Sequence, residues 1–185
     1  MSTQSIFHAA WVLKQGGVIA YPTEAVFGLG CDPFNQDAVM QLLRLKHRAA
    51  EKGLILISDC FEKFQPLITS IPDKRREAVL ATWPGPYTWV FPANLSVVPE
   101  GIRGENKTIA IRVTAHPLAK QLCQAFGSPI VSTSANFSFD EPLCTAESIK
   151  TYFGHDLDYI LEGETGGLSK PTQIRDALTG EVLRS

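Results

Sequence analysis

The chain has only four cysteines. None of Cys31, Cys60, Cys123 and Cys144 stands in a C-x-x-C pair or ahead of a histidine at zinc-like spacing. That pattern argues against a zinc or redox motif and leaves four reduced thiols, as in a cytosolic protein. No apolar run approaches the roughly 20 residues that a membrane-spanning helix needs. The stretch Met1 to Ser5 has no basic segment leading into an apolar one, so no secretory signal is expected. An excess of one charge is also missing: 17 Lys and Arg stand against 19 Asp and Glu, for a net charge of −2. Nothing global draws such a chain to nucleic acid, and any binding of that kind would need a local basic face. The expected location is the cytoplasm, away from membranes.

Common catalytic signatures are absent as well. There is no G-x-x-x-x-G-K-[ST], and Gly28-Leu29-Gly30 lacks the third glycine of a dinucleotide fingerprint. There is no H-E-x-x-H, and Ser132 and Ser134 do not sit in a G-x-S-x-G elbow. His8, His47, His116 and His155 have no triad context and read mostly as surface or capping residues. No acidic set suited to a metal is visible, so no protein-held metal is expected.

What is present is an ordinary folded composition, 44% hydrophobic and 19% charged over 185 residues, without a linker or a repeat. One domain over residues 1–185 is expected. Ile6, Ala9, Ala10 and Leu13 form one stripe of a helix that Gly16-Gly17 stops. Val18 to Tyr21 reads as a strand, and Thr23 to Gly30 as an ordered loop. A helix over Asp37 to Arg48 and a strand over Leu54 to Ile57 follow. Pro72 to Trp83 is helical, with Lys74-Arg75-Arg76 on a solvated face. Tyr87 to Phe91 is a strand, and Pro92 to Glu105 a long connection. Thr108 to Val113 alternates as a strand, and His116 to Phe126 is a helix with Pro117 in its first turn. Pro129 to Ser132 is a strand, Thr145 to Phe153 a weakly capped helix and Leu157 to Leu161 a strand. Gln173 to Asp176 and Glu181 to Arg184 close a hairpin around Thr179-Gly180. Alternating helices and strands with some antiparallel pairing predict an α/β fold: one open, twisted, mixed sheet with flanking helices.

Against the near-neutral background, Lys46, Arg48 and Lys52 crowd seven positions at the end of a helix. They read either as a cap favoured by the helix dipole or as a pocket for phosphates. His47, between the first two, is expected to point away from such a pocket. Other residues carry similar pairs of readings. Ser134 and Asn136 follow a strand end, where α/β sheets present ligand sites, yet both types also satisfy turns. Thr23 is a turn or cap hydroxyl, or lines a pocket mouth. Phe27 is core, or the wall of a pocket. Thr108 and Arg112 share one face of a strand, and an Arg flanked by apolar residues needs an anionic partner.

Three stretches in this order, Tyr21-Pro22-Thr23-Glu24-Ala25-Val26-Phe27-Gly28-Leu29-Gly30, Lys46-x-Arg48 with Lys52, and Ser132-Thr133-Ser134-Ala135-Asn136, resemble the YrdC-like family of threonylcarbamoyl-adenylate synthases. Trp83 to Thr88, Ile109 to Arg112 and Gly166 to Asp176 also fit, so the likeness covers roughly residues 8–184. It is strongest to the short bacterial members, which lack an added C-terminal domain. The resemblance implies an open twisted α/β sheet around a large concave cleft. It implies that L-threonine, bicarbonate and ATP give threonylcarbamoyl-AMP and pyrophosphate, with ATP as substrate and Mg2+ as a partner of its phosphates. A partner complex then passes the threonylcarbamoyl group to tRNA.

By this likeness Lys46, Arg48, Ser134 and Asn136 form the catalytic set. Lys52, Thr108 and Arg184 face the nucleotide. Ser132, Arg112 and Thr172 face threonine, Arg112 through the carboxylate, and Thr23 and Phe27 line the pocket. Two positions depart from the family: Ala25 and Ile57 stand where longer members place a threonine and a histidine that touch the amino acid. Gly53 stands where proline is commoner. The competing class is a module that binds tRNA or double-stranded RNA in a basic cleft without chemistry. No stripe of basic and aromatic residues supports it.

Overall fold

The short apolar runs become strands of one sheet in a computed structural model that describes residues 3–137 and 140–184. In chain order the elements are α1 (Thr3–Lys14), β1 (Ile19–Pro22), β2 (Phe27–Gly30), α2 (Gln36–Leu45), β3 (Ile55–Ser58), α3 (Asp73–Leu80), β4 (Tyr87–Pro92), α4 (Glu100–Arg103), β5 (Thr108–Val113), α5 (Pro117–Phe126), β6 (Ile130–Ser134), α6 (Ala146–Phe153), β7 (Tyr159–Ile160), β8 (Gln173–Asp176) and β9 (Val182–Arg184). The sheet order is β7-β1-β2-β6-β3-β5-β4-β8-β9. Pairing is mixed: β3 and β5 run parallel, whereas β6 lies antiparallel to both β2 and β3. No helix among the described residues is long and apolar enough to cross a membrane. The four cysteines are free, as expected.

The alternation of side chains puts different layers on the two faces. Ala38, Val39 and Leu42 of α2, Val79 of α3, Ile102 of α4 and Ile149 and Phe153 of α6 pack with Leu56, Phe91, Ile111 and Val131. On the opposite face α1 and α5 meet each other and cover Ile19, Tyr21, Ile57 and Ile130. That cover stops at Ile130. Two and four residues further along β6, Ser132 and Ser134 face a cavity instead of a helix. The open end of this face is the concavity that the fold makes available.

Several boundaries differ from the sequence reading, each for a local reason. Phe27 to Gly30 is a strand and not a loop, because the Thr23 hydroxyl and amide both donate to Val26 O and close a β1–β2 hairpin. Gly30 is needed there: a Cβ would lie 2.5 Å from Val131 O and 2.7 Å from the Tyr21 ring. Tyr21 fills the space under it and donates to Val131 O. The long connection carries a short helix, α4, whose Ile102 O accepts from Leu54 N at 2.8 Å. Arg75 is not a solvated cation. Its Nε donates to Ala177 O, and its guanidinium lies 6.0 Å from the Trp89 ring, tying α3 to the β8–β9 hairpin. The Thr145 hydroxyl does cap α6 by accepting from Ser148 N. His116 caps α5 and meets Glu164 O through its other nitrogen.

Helix α2 stops at Leu45, short of the expected Arg48. His47 takes a positive φ of 48°, His47 N donates to Arg44 O, and Arg48 N donates to Leu43 O. This is a Schellman turn, which satisfies the last helical carbonyls. The cap is made by backbone amides and not by the side-chain charges of the cationic stretch, and the turn sends the neighbouring side chains in different directions.

Candidate active site

The cavity on the open sheet face holds about 160 Å³. Its walls include Thr23, Phe27, Arg48, Arg112, Ser132, Ser134, Thr172 and Arg184, eight of the twelve residues expected from the sequence. β2 supplies Phe27, β5 supplies Arg112, β6 supplies the serines, and the strand β9 brings Arg184 from the far end of the chain.

Arg112 is buried, and its contacts answer the question of its partner. Nη2 lies 3.4 Å from Glu24 Oε2, and Nη1 donates to Thr88 Oγ1 at 3.2 Å and Thr172 Oγ1 at 3.0 Å. Glu24 Oε1 accepts from Thr114 Oγ1 at 2.7 Å and from Ala115 N at 3.2 Å. Burial by itself would raise the Glu24 carboxyl, but Arg112 and these hydrogen bonds outweigh it and hold the pKa below the ordinary carboxylate value. Arg112 Nε and Glu24 Oε2 are buried without a hydrogen-bond partner among the described residues.

Arg48 donates through Nη2 to Gly53 O at 3.0 Å, and its buried Nε finds no acceptor among the described residues. Gly53 has φ +66°, which a proline cannot adopt and a glycine adopts freely, so the departure from the family wording matches the backbone. Arg184 reaches back to donate to Thr172 O at 3.2 Å. The pKa of Arg48 is lowered by burial and then by Arg184, and that of Arg184 by burial and then by Arg112. Arg184 thus stands against both Arg48 and Arg112 around one cavity, and Glu24 balances Arg112 from behind. The arrangement is suited to anions carrying more than one negative charge.

Four expected residues do not line the cavity. Lys46 is buried, and its ammonium donates to Ser134 O at 2.5 Å, Asn136 O at 2.7 Å and Asn136 Oδ1 at 3.2 Å. Expected as a phosphate holder, it here engages the turn after β6 with its ammonium. Asn136 belongs to that same turn, accepting from Ser134 Oγ at 2.7 Å and donating to Asp140 O. Lys52 lies exposed on the short 3-10 turn Ala50–Lys52. Thr108 sits at the start of β5, opposite Pro92 and four residues short of Arg112. Of the two departures, Ala25 lines the cavity, whereas Ile57 is fully buried under α1 and α5. Sequence reasoning passed over Glu24 and Thr88. Both stand inside quoted stretches, and the need of a buried Arg112 for an anion was the signal that pointed to Glu24.

A family model described as "Telomere recombination", covering the Sua5, YciO and YrdC proteins, matches residues 11–185. The chain belongs to the Sua5/YciO/YrdC family. It is 54% identical to the threonylcarbamoyl-AMP synthase of Coxiella burnetii over 182 residues, 98% of this chain and 97% of that protein. To the threonylcarbamoyl-AMP synthase of Hahella chejuensis it is 53% identical, with 100% of both chains covered. Among solved structures, Sua5 of P. abyssi complexed with L-threonine superposes with a TM-score of 0.87 at 32% identity, over 92% of this chain. The chain spans about half of that Sua5 protein, 50% of its length. YciO of E. coli shares the fold, with a TM-score of 0.84 at 24% identity over 100% of this chain and 92% of that one. Membership in the Sua5/YciO/YrdC family agrees with the resemblance read from the three stretches.

Proposed function

We propose that this chain is a threonylcarbamoyl-AMP synthase, converting L-threonine, bicarbonate and ATP to the adenylate and pyrophosphate. The observation that carries the reading is the convergence of Arg48, Arg112 and Arg184 with Ser132, Ser134 and Thr172 on one cavity. The chemistry asks for little from acids and bases. The threonine amine takes up the bicarbonate carbon to give a carbamate with loss of water. A carbamate oxygen then attacks the α-phosphorus of ATP, and the bond to the β-phosphate breaks as pyrophosphate leaves. Positioning and charge neutralisation supply most of the rate in such transfers.

The cavity volume divides the work. About 160 Å³ suits an amino acid or a phosphate group and falls below the ~300 Å³ at the small end of typical ligand sites. Threonine therefore occupies the inner part, with its carboxylate toward Arg112 and its hydroxyl within reach of Thr172. The nucleotide extends from the mouth, with its phosphates on Arg48 and Arg184 and against Ser134. Lys52 and Thr108 would touch ATP only along that outer path. No group of three or more acidic, His or Cys side chains among the described residues fits a metal, and the one carboxylate at hand, Glu24, is engaged by Arg112 and Thr114. Any magnesium ion would be held by the phosphates of ATP itself. The product is a mixed anhydride, to be used by a cytoplasmic partner that acylates tRNA.

The test is isotopic. Protein incubated with ATP, L-threonine and 13C-bicarbonate should yield an adenylate carrying one 13C, seen by mass spectrometry. Unlabelled adenylate, or AMP alone, would refute the reading.

A further inference from the structure

We infer that His47 is a positioning residue whose ring holds the Lys46–Arg48 turn against the Ser134–Asn136 turn. The inference rests on the adenylate-forming reading of the cavity and names a residue that this reading does not use.

Among the described residues His47 is the only non-glycine with positive φ, at 48°. The position is the one that a Schellman turn ordinarily gives to glycine, because a Cβ there crowds the backbone. A histidine is therefore a costly choice for the turn alone. Strained backbone that persists beside a site calls for a compensating contact, and here there is one. The imidazole stacks on Phe137, with ring centroids 5.2 Å apart and planes 13° apart. Phe137 in turn packs on Tyr152 at 4.9 Å and edge-on to Phe153 at 5.4 Å. Phe153 belongs to the core, so the stack is anchored.

The two ends of this stack are the two halves of the site. His47 lies between Lys46 and Arg48, and Phe137 directly follows Asn136. Lys46 grips Ser134 O and both oxygens of Asn136 from one side of the turn. The His47–Phe137 stack grips the next residue along. With both contacts in place the turn cannot rotate, and Arg48 leaves it toward the cavity. A glycine would relax the backbone and lose the second contact.

Three substitutions separate strain from stacking. His47→Gly removes both, His47→Ala keeps the strain and loses the ring, and His47→Phe keeps both. The readouts are thermal stability, amide hydrogen exchange at Arg48 and Asn136, and KM for ATP in threonine-dependent pyrophosphate release. Stability should follow strain, with His47→Gly at least as stable as His47→Ala. Exchange and KM should follow the ring: faster exchange and a KM raised about tenfold in both His47→Gly and His47→Ala, with kcat less affected, and values within about twofold of wild type in His47→Phe. Wild-type exchange and KM in His47→Gly would overturn the inference, as would a His47→Phe as impaired as His47→Ala. If the wild-type chain releases no pyrophosphate, the adenylate reading fails, and the exchange rates still decide whether the stack orders the turn.

Discussion

The ammonium of Lys46 lies 2.5 Å from the carbonyl oxygen of Ser134 and 2.7 Å from that of Asn136. A cation that the sequence offers for phosphate thus serves a turn, and the turn presents Ser134 to the cavity. Lys46→Met should leave these carbonyl oxygens without a buried donor and cost about 2 kcal/mol of stability. It should also lower kcat/KM, and Lys46→Arg should not restore it, because a planar guanidinium does not converge on three acceptors as an ammonium does. Denaturant midpoints and steady-state kinetics check both statements. Full activity in Lys46→Met would contradict the assignment.

The same group sets a pH dependence. Burial, and then the neighbouring Arg48, lower Lys46 to about 8. As the pH rises through about 8, the clamp loses its charge and kcat/KM should fall. The unfolded chain keeps this proton to about pH 10.4, so between these values the unfolded state binds more protons. By this group alone, stability then rises with pH while activity falls. A kinetic profile beside melting curves from pH 7 to 9.5 separates the two. Activity that declines only together with the melting temperature would count against the clamp.

In the proposed function Arg48 and Arg184, which both line the cavity, bind phosphates in ground and transition states alike. Neutralising either should therefore raise KM for ATP more than it lowers kcat. A lost charge-assisted contact of about 2 kcal/mol corresponds to roughly a thirtyfold change. Arg48→Gln should have the larger effect, since the Arg184 side chain comes from an exposed residue of the last strand. Initial rates over a range of ATP concentrations give the comparison, and an unchanged KM in Arg48→Gln would contradict it.

Glu24 balances Arg112 from behind the cavity wall. Glu24→Ala leaves Arg112 without its anion and Thr114 Oγ1 without its acceptor, and should cost about 3 kcal/mol. Glu24→Gln keeps an acceptor for Thr114 and Ala115 and should cost less. Both should raise KM for threonine. Because the folded pKa lies below the unfolded one, the stabilisation from Glu24 is present above about pH 4.3 and lost as the pH falls through the folded value. A Glu24→Ala variant with wild-type stability at pH 7 would exclude this role.

Much of this was legible in the sequence, and the exceptions have physical causes. The strand Thr108 to Val113 and the helix from Pro117 to Phe126 carry their periodicity and caps openly, and both appear as expected. The strand Phe27 to Gly30 was hidden because two glycines have little strand preference, and only the packing explains them: a Cβ would meet Val131 O and the Tyr21 ring at Gly30 and Thr23 Cγ2 at Gly28. Arg48 and Arg112 could be chosen from type and surroundings. Whether Lys46 faced the cavity could not, because its acceptors at Ser134 and Asn136 lie 88 and 90 positions away in the chain. Glu24 was overlooked because its partner lies 88 positions away in the chain, and only the fold brings the two to 3.4 Å.

In the proposed function the arginine-lined cavity makes an adenylate from threonine. The direct measurement is pyrophosphate release from ATP by the purified chain with L-threonine and bicarbonate, with each left out in turn, and with Arg48→Ala as control. Release should need both additions and, with ATP near the wild-type KM, be many-fold weaker in Arg48→Ala. Release that persists without threonine, or that is equal in the control, would contradict that function.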